Sequence, residues 1–288
     1  MNVAPFRVRQ GDRRALTRVA PADRGHFRSK ESASAHLRKG IERLDALQTL
    51  LWAQHRYALL LIFQGMDGAG KDHVIKHVMS GLNPQGTDVH SFKQPSAEEL
   101  DHDYLWRAAK ALPSRGRIGI FNRSYYEETL VVRVHPEVLA AQKLPPDRIG
   151  RDIWKHRFED INAFERHLWR NGTIIRKFFL HVSRREQRRR LLARLDDPAK
   201  NWKFSSGDLA ERDKWRGYQG AYADAIAATA TAHAPWHVVP ADHKWFAAVV
   251  VADVIVDALE ELDLSFPKAT PAQRRELRAA RRRLLRET

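Results

Sequence analysis

Apolar residues along this chain fall into two alternating patterns. One is a short continuous run, as in Leu59-Leu60-Leu61-Ile62-Phe63, which reads as a strand buried on both faces. The other recurs at every third or fourth position, as in Leu37, Ile41, Leu44, Leu47 and Leu51. That spacing is the buried stripe of an amphipathic helix, here from 32 to about 55. In chain order the patterns predict a strand at 57–64, a helix to about 79, a short strand at 88–92 and a helix over 96–112. The last of these opens on the capping box Ser96-Ala97-Glu98-Glu99. A strand at 117–121, a helix over 145–170 and a strand at 173–182 come next, then an Arg-loaded helix that Ser183 caps and that runs to 195. The polar stretch 196–206 breaks the pattern. A helix from 207 to about 233, a strand at 236–240 and a helix over 244–263 complete the core. Strands alternating with helices of about ten residues or more predict an α/β fold, a parallel sheet with helices on both faces in one domain.

Composition narrows the class. The chain has 288 residues, 43% of them hydrophobic, and no apolar run approaches the ~18 residues of a membrane span. The first residues lack the apolar core of a secretory signal, so a cytoplasmic protein is expected. With no cysteine, disulfides, thiolate metal sites and thiol nucleophiles are excluded. The net charge of +15 is uneven: residues 1–30 carry eight Lys/Arg against two Asp, and residues 267–288 carry eight against two Glu. Each flank therefore holds +6, and the 236 residues between them only +3. The flanks read as a basic arm and a basic tail, solvated ends to the domain at 31–266. They show no nucleic-acid-binding signature, so nucleic acid is not the expected partner; a polyanionic substrate explains the charge equally well.

The chemistry concentrates at Gly65-Met66-Asp67-Gly68-Ala69-Gly70-Lys71-Asp72, directly after the first strand. This is G-x-x-x-x-G-K between a strand and a helix, the arrangement of a loop whose backbone amides cradle phosphate. The helix starting near Lys71 adds the positive end of its dipole. Asp72 stands where a Ser or Thr would ligate Mg²⁺, and Asp67 lies within the loop itself. Two carboxylates in an anion site are costly unless a cation lies between them. The reading is therefore metal-dependent phosphoryl transfer, with Mg²⁺ held through Asp67, Asp72 and Glu127.

A second element is expected at the end of the strand 117–121. There Asn122 replaces the usual aspartate, Arg123 is placed to hold phosphate, and Glu127 and Glu128 follow one turn later. Arg190 and Arg194, four apart on one helical face, adjoin the polar segment carrying Lys200, Trp202 and Lys203, which reads as a lid over about 183–210. Lys76, Lys93 and Arg133 are further cations expected near the phosphate end of the sheet, and Trp202 is placed to stack on a base. His73 and His77, four apart without an intervening acid, read as non-ligands.

With these residues in hand, the chain resembles the type 2 polyphosphate kinase family. The likeness rests on 65–72, Asn83-Pro84-Gln85-Gly86, Phe121 to Glu127, Val131-Val132-Arg133-Val134 and Trp202-Lys203, and it spans roughly 30–265. It implies a P-loop kinase fold like that of thymidylate kinase, Mg²⁺ dependence, and phosphoryl transfer between inorganic polyphosphate and an adenine or else guanine nucleotide. By resemblance Asp67, Lys71, Arg123, Arg190 and Arg194 carry the reaction, and the protein forms homo-dimers or tetramers. The Asn122 form is similar to branches that phosphorylate AMP, ADP or both. An ATP-dependent nucleoside monophosphate kinase and a non-catalytic polyanion-binding protein are the alternatives.

Overall fold

The computed structural model describes residues 1–287. Five strands, β1 (Ala58–Gln64), β2 (Thr87–Ser91), β3 (Ile118–Asn122), β4 (Thr173–His181) and β5 (Trp236–Pro240), form one parallel sheet in the order β2-β3-β1-β4-β5. Every residue of β1 is buried, as its unbroken apolar run requires of a central strand covered on both faces. Successive side chains of β4 show the two faces. Arg176 reaches Glu261, just past the helix Lys244–Glu260, whereas Lys177 turns the other way, to Glu165 on the helix Ile153–Arg170. Because β1 lies between β3 and β4, chain leaving its C-terminal end enters the crevice where the sheet order reverses, the usual ligand position in open α/β sheets.

Several predicted helices are shorter than their patterns. The span 96–112 divides into Ala97–Leu100 and Trp106–Lys110 because Asp103 accepts the Leu105 amide at 2.9 Å and turns the chain. The span 145–170 is helical only from Ile153; Pro146–Arg148 is a single 3₁₀ turn. The span 207–233 divides at Lys214 into Gly207–Asp213 and Trp215–Thr229.

The basic flanks behave differently from one another. The N-terminal segment is irregular, yet Phe6, Val8, Ala15, Leu16, Val19 and Phe27 are buried in the main core, which corrects the expectation of a solvated arm. Arg7 makes an antiparallel bridge with His237, and the Val8 amide donates to the Trp236 carbonyl at 2.9 Å, so the arm covers the outer edge of β5. The tail is a helix, Pro271–Leu284, with a capping box between Thr270 and Gln273, and none of its residues is buried. Among the described residues no helix is long and apolar enough to cross a membrane.

Candidate functional site

The turn after β1 is built by what its glycines permit. A Cβ on Gly65 would stand 3.0 Å from the Leu180 carbonyl oxygen and 3.1 Å from Ala69, so only glycine lets the loop fold back against β4. Gly70, at φ +103°, takes the chain into the helix Lys71–Val78 through a conformation other residues rarely adopt. The loop is then gripped from outside. Gln187 donates to the Asp67 carbonyl at 2.8 Å, and Arg190 donates to the carbonyls of Gly68 and Ala69, both at 2.8 Å. A trans peptide points its N–H opposite to its carbonyl. The amides of Gly68 and Gly70 are therefore turned away from these side chains, and both glycines line the adjoining cavity.

That cavity, about 700 Å³, lies at the C-terminal ends of β1 and β3. Its lining includes ten Lys or Arg residues against two carboxylates, Asp67 and Asp72. Lys71 is half-buried at the cavity wall and donates to the Gly65 carbonyl at 2.6 Å. Burial, reinforced by the neighbouring Arg123, pushes its ammonium down to about 8, against the pull of Asp67, Glu127 and Asp72. Arg123 sits at φ +64°, a strained conformation for a side-chain-bearing residue, fixed by its amide donating to the Phe63 carbonyl at 2.9 Å. Its guanidinium contacts Asp67 at 2.6 Å and Glu127 at 3.2 Å, and these carboxylates, Glu127 foremost, hold it firmly protonated despite burial. Asn122 donates its amide to Asp72 at 2.7 Å.

Most of the expected cations meet here: Lys71, Lys76, Lys93, Arg123, Arg190, Arg194 and Lys203 all line the cavity, as do Asp67, Gly68, Gly70, Asp72 and Asn122. Gly65 and Ala69 stand behind it, contributing the carbonyls that Lys71 and Arg190 hold. Four placements depart from expectation. Arg190 is buried, and besides the loop it binds Glu186 and the carbonyls of Ala241 and Asp242. With those donors engaged by backbone, it supports the loop and is no free lid fork. Arg133 points into a separate groove, where Asp224 binds it at 2.7 Å. Trp202 is 77% exposed, held by its indole N–H to the Ala199 carbonyl, and does not line the cavity. Glu127 likewise faces Arg123 and is not among the lining residues. Among the described residues no three His, Asp or Glu side chains converge into a metal cage. Asp67 and Asp72 alone match the one or two carboxylates that suffice when Mg²⁺ is completed by substrate phosphates and water.

The sequence assigns no role to Gln187 or Lys244, both of which meet the loop or the cavity here. Lys244 reaches the lining from the start of the last core helix, and Gln187, one turn before Arg190, reaches the Asp67 carbonyl behind the loop. Neither carries a motif; the topology delivers them. His73 and His77 stack at 3.8 Å, and burial, with the charges of His77 and Lys244, pushes His73 down to about 4. The helix Arg184–Leu195 is joined to the next segment by Arg194, which binds Asp208 at 3.2 Å, and by Asn201, which donates to the carbonyls of Arg194 and Leu195.

Comparison with known proteins accounts for this arrangement. The protein-family model described as Polyphosphate kinase 2 matches residues 27–267. An ADP-polyphosphate phosphotransferase of Rhodopseudomonas palustris is 51% identical over 97% of both chains. An AMP/ADP-polyphosphate phosphotransferase of Meiothermus ruber is 42% identical over 93% of this chain and 96% of its own. A crystal structure of Polyphosphate Kinase 2 from Arthrobacter aurescens superposes with a TM-score of 0.86 at 41% identity, covering 96% of each chain. A loop that cradles phosphate, a cleft lined by cations and these matches over nearly the whole length lead to one conclusion: the chain belongs to the Polyphosphate kinase 2 family.

Proposed function

We propose that the protein transfers phosphoryl groups between inorganic polyphosphate and an adenine nucleotide, with ADP as the principal acceptor and AMP as a second. The observation that carries this reading is the cavity's charge: ten cations exceed what a nucleotide's own phosphates need and suit a donor with many charges. The choice of ADP follows the relative matched at 51% identity, and that of AMP the relative matched at 42%.

The acceptor's terminal phosphate oxygen is already anionic, so the reaction needs positioning and charge neutralisation and no strong base. Lys71 and Arg123 are set to balance charge on the transferring group, since both are partly withdrawn from water at the cavity wall, where a cation acts more strongly on nearby phosphate than in bulk solvent. Arg194, Lys200 and Lys203 add to this from the lid. Asp67 and Asp72 would hold Mg²⁺, which when bound aligns donor and acceptor phosphates and offsets their charge. Residues 31–266 are the catalytic unit in this reading, working in a homo-oligomer.

Incubating the purified protein with ADP and long-chain polyphosphate, without ATP, should yield ATP above the level set by ADP disproportionation. A parallel incubation with AMP should yield ADP. Absence of product from both would overturn the proposal and favour an ATP-dependent nucleoside monophosphate kinase.

A further inference from the structure

The helix Pro271–Leu284 is exposed along its whole length. At 3.6 residues per turn, Arg274, Arg275, Arg278, Arg281 and Arg282 fall within an arc of about 120° on one face. Glu276 projects to the other side. Among the described residues no carboxylate approaches these five guanidiniums within salt-bridge distance; the tail's one ion pair is Arg283 with Glu287. The pairs Arg274/Arg278 and Arg278/Arg282 are like charges four apart, which oppose a helix. A fourteen-residue helix without packing is itself marginal in water. Both costs fall when a polyanion lies along the arginine face.

The position of the tail decides what such a ligand can be. The last core helix begins with Lys244 in the cavity lining and is seventeen residues long, about 25 Å. It ends beside Arg176, near the start of β4, where Glu261 binds that residue at 2.7 Å. The tail therefore leaves the body at the end of the sheet remote from the phosphate-cradling loop. Only an extended polyanion can touch both places at once.

We propose that this arginine face is a distal docking site for long-chain polyphosphate, which tethers the donor and raises its effective concentration at the cavity. The proposal rests on the donor being polyphosphate. The test is a full-length variant combining Arg274→Gln, Arg278→Gln, Arg281→Gln and Arg282→Gln, assayed with long-chain polyphosphate and with tripolyphosphate. KM for the long chain should rise about tenfold, the sum of several exposed charge contacts. KM for tripolyphosphate and for ADP, and kcat with either donor, should not change. Replacing the same four residues with Lys should restore the long-chain KM, since the contact is one of charge. An unchanged long-chain KM, or an equal rise with both donors, would overturn the docking site. So would loss of binding to phosphatidylserine vesicles with the long-chain KM unaltered, which would assign the face to a membrane surface. Failure of the donor assignment itself would look different: the wild-type protein would turn over neither donor.

Discussion

Two lysines, one inside the sheet and one at the start of the helix that follows the loop, have their ammonium charge opposed by burial, and they sit in opposite settings. Lys177, paired in register with Ile62 of β1, spends its ammonium on three partners: Glu165 at 2.5 Å, the Tyr126 hydroxyl at 2.8 Å and the Thr229 carbonyl at 2.8 Å. Glu165 in turn accepts from the hydroxyls of Tyr125 and Tyr126, both at 2.9 Å. Every ammonium hydrogen is used and the side chain is fully enclosed. Lys71 has one hydrogen-bond partner, the Gly65 carbonyl, and lines the open cavity. Burial pushes both lysines down. Desolvation alone therefore does not mark a functional cation. The distinguishing property is a charge stripped of water and left with bonding capacity facing open space, so that an incoming phosphate supplies what the fold withholds.

The comparison breaks most sharply by mutation. Lys71→Ala should lower turnover by at least ~10³-fold, the scale of removing one central electrostatic contact from phosphoryl transfer, while its unfolding midpoint in denaturant stays at or above that of the wild type. Turnover near the wild-type rate would remove Lys71 from the mechanism. Lys177→Met should do the reverse, costing about 3–5 kcal/mol of stability by leaving Glu165 buried and unpaired. Denaturant titration reads that loss directly.

Arg194→Ala should lower kcat by about 10²-fold and change the nucleotide KM little, because Arg194 is paired with Asp208 in the free protein and would meet phosphate on lid closure. A larger change in KM than in kcat would place it in ground-state binding instead. The smallest effect is on pH. Lys71 is charged below about 8 and neutral above it, so polyphosphate affinity should fall about threefold between half a unit below and half a unit above that value. The dependence should vanish in Lys71→Ala. Stability runs the other way: between about 8 and the ordinary lysine value of 10.5 the unfolded chain holds a proton that the folded chain has released, so stability rises with pH there. Lys71→Met should lack that rise.

The features legible in the sequence were those written contiguously. The loop 65–72 sits at the end of a strand whose apolar run announces a buried centre, so its place in the sheet follows from the pattern alone. Asn122 and Arg123 were legible for the same reason, as the residues that close another strand. Arg190 lies at the site as its helix face implies, but its bonds to backbone carbonyls were not legible, because a helix face says which residues point together and not what will meet them. Arg133 and Trp202 were drawn toward the site by proximity in sequence, and their partners Asp224 and Ala199 hold them elsewhere. Lys244 and Gln187 were invisible, since only the order of strands brings them to the loop. The arm was misread because its buried residues follow neither helical nor strand spacing; they are fixed by the edge of β5.

The grip of Gln187 and Arg190 on the loop carbonyls has a mechanical consequence. A helix bonded at two successive turns to a loop, and through Arg190 to the carbonyls of Ala241 and Asp242, cannot swing as a rigid lever from its first residue. If the segment read as a lid closes on substrate, its fulcrum would lie beyond Arg190 and the part free to travel would be shorter than the 183–210 span expected from sequence. Arg194 would ride on that moving part while Arg190 stays with the frame. Two arginines one helical turn apart would then belong to different mechanical bodies, and closure would be the motion of one relative to the other.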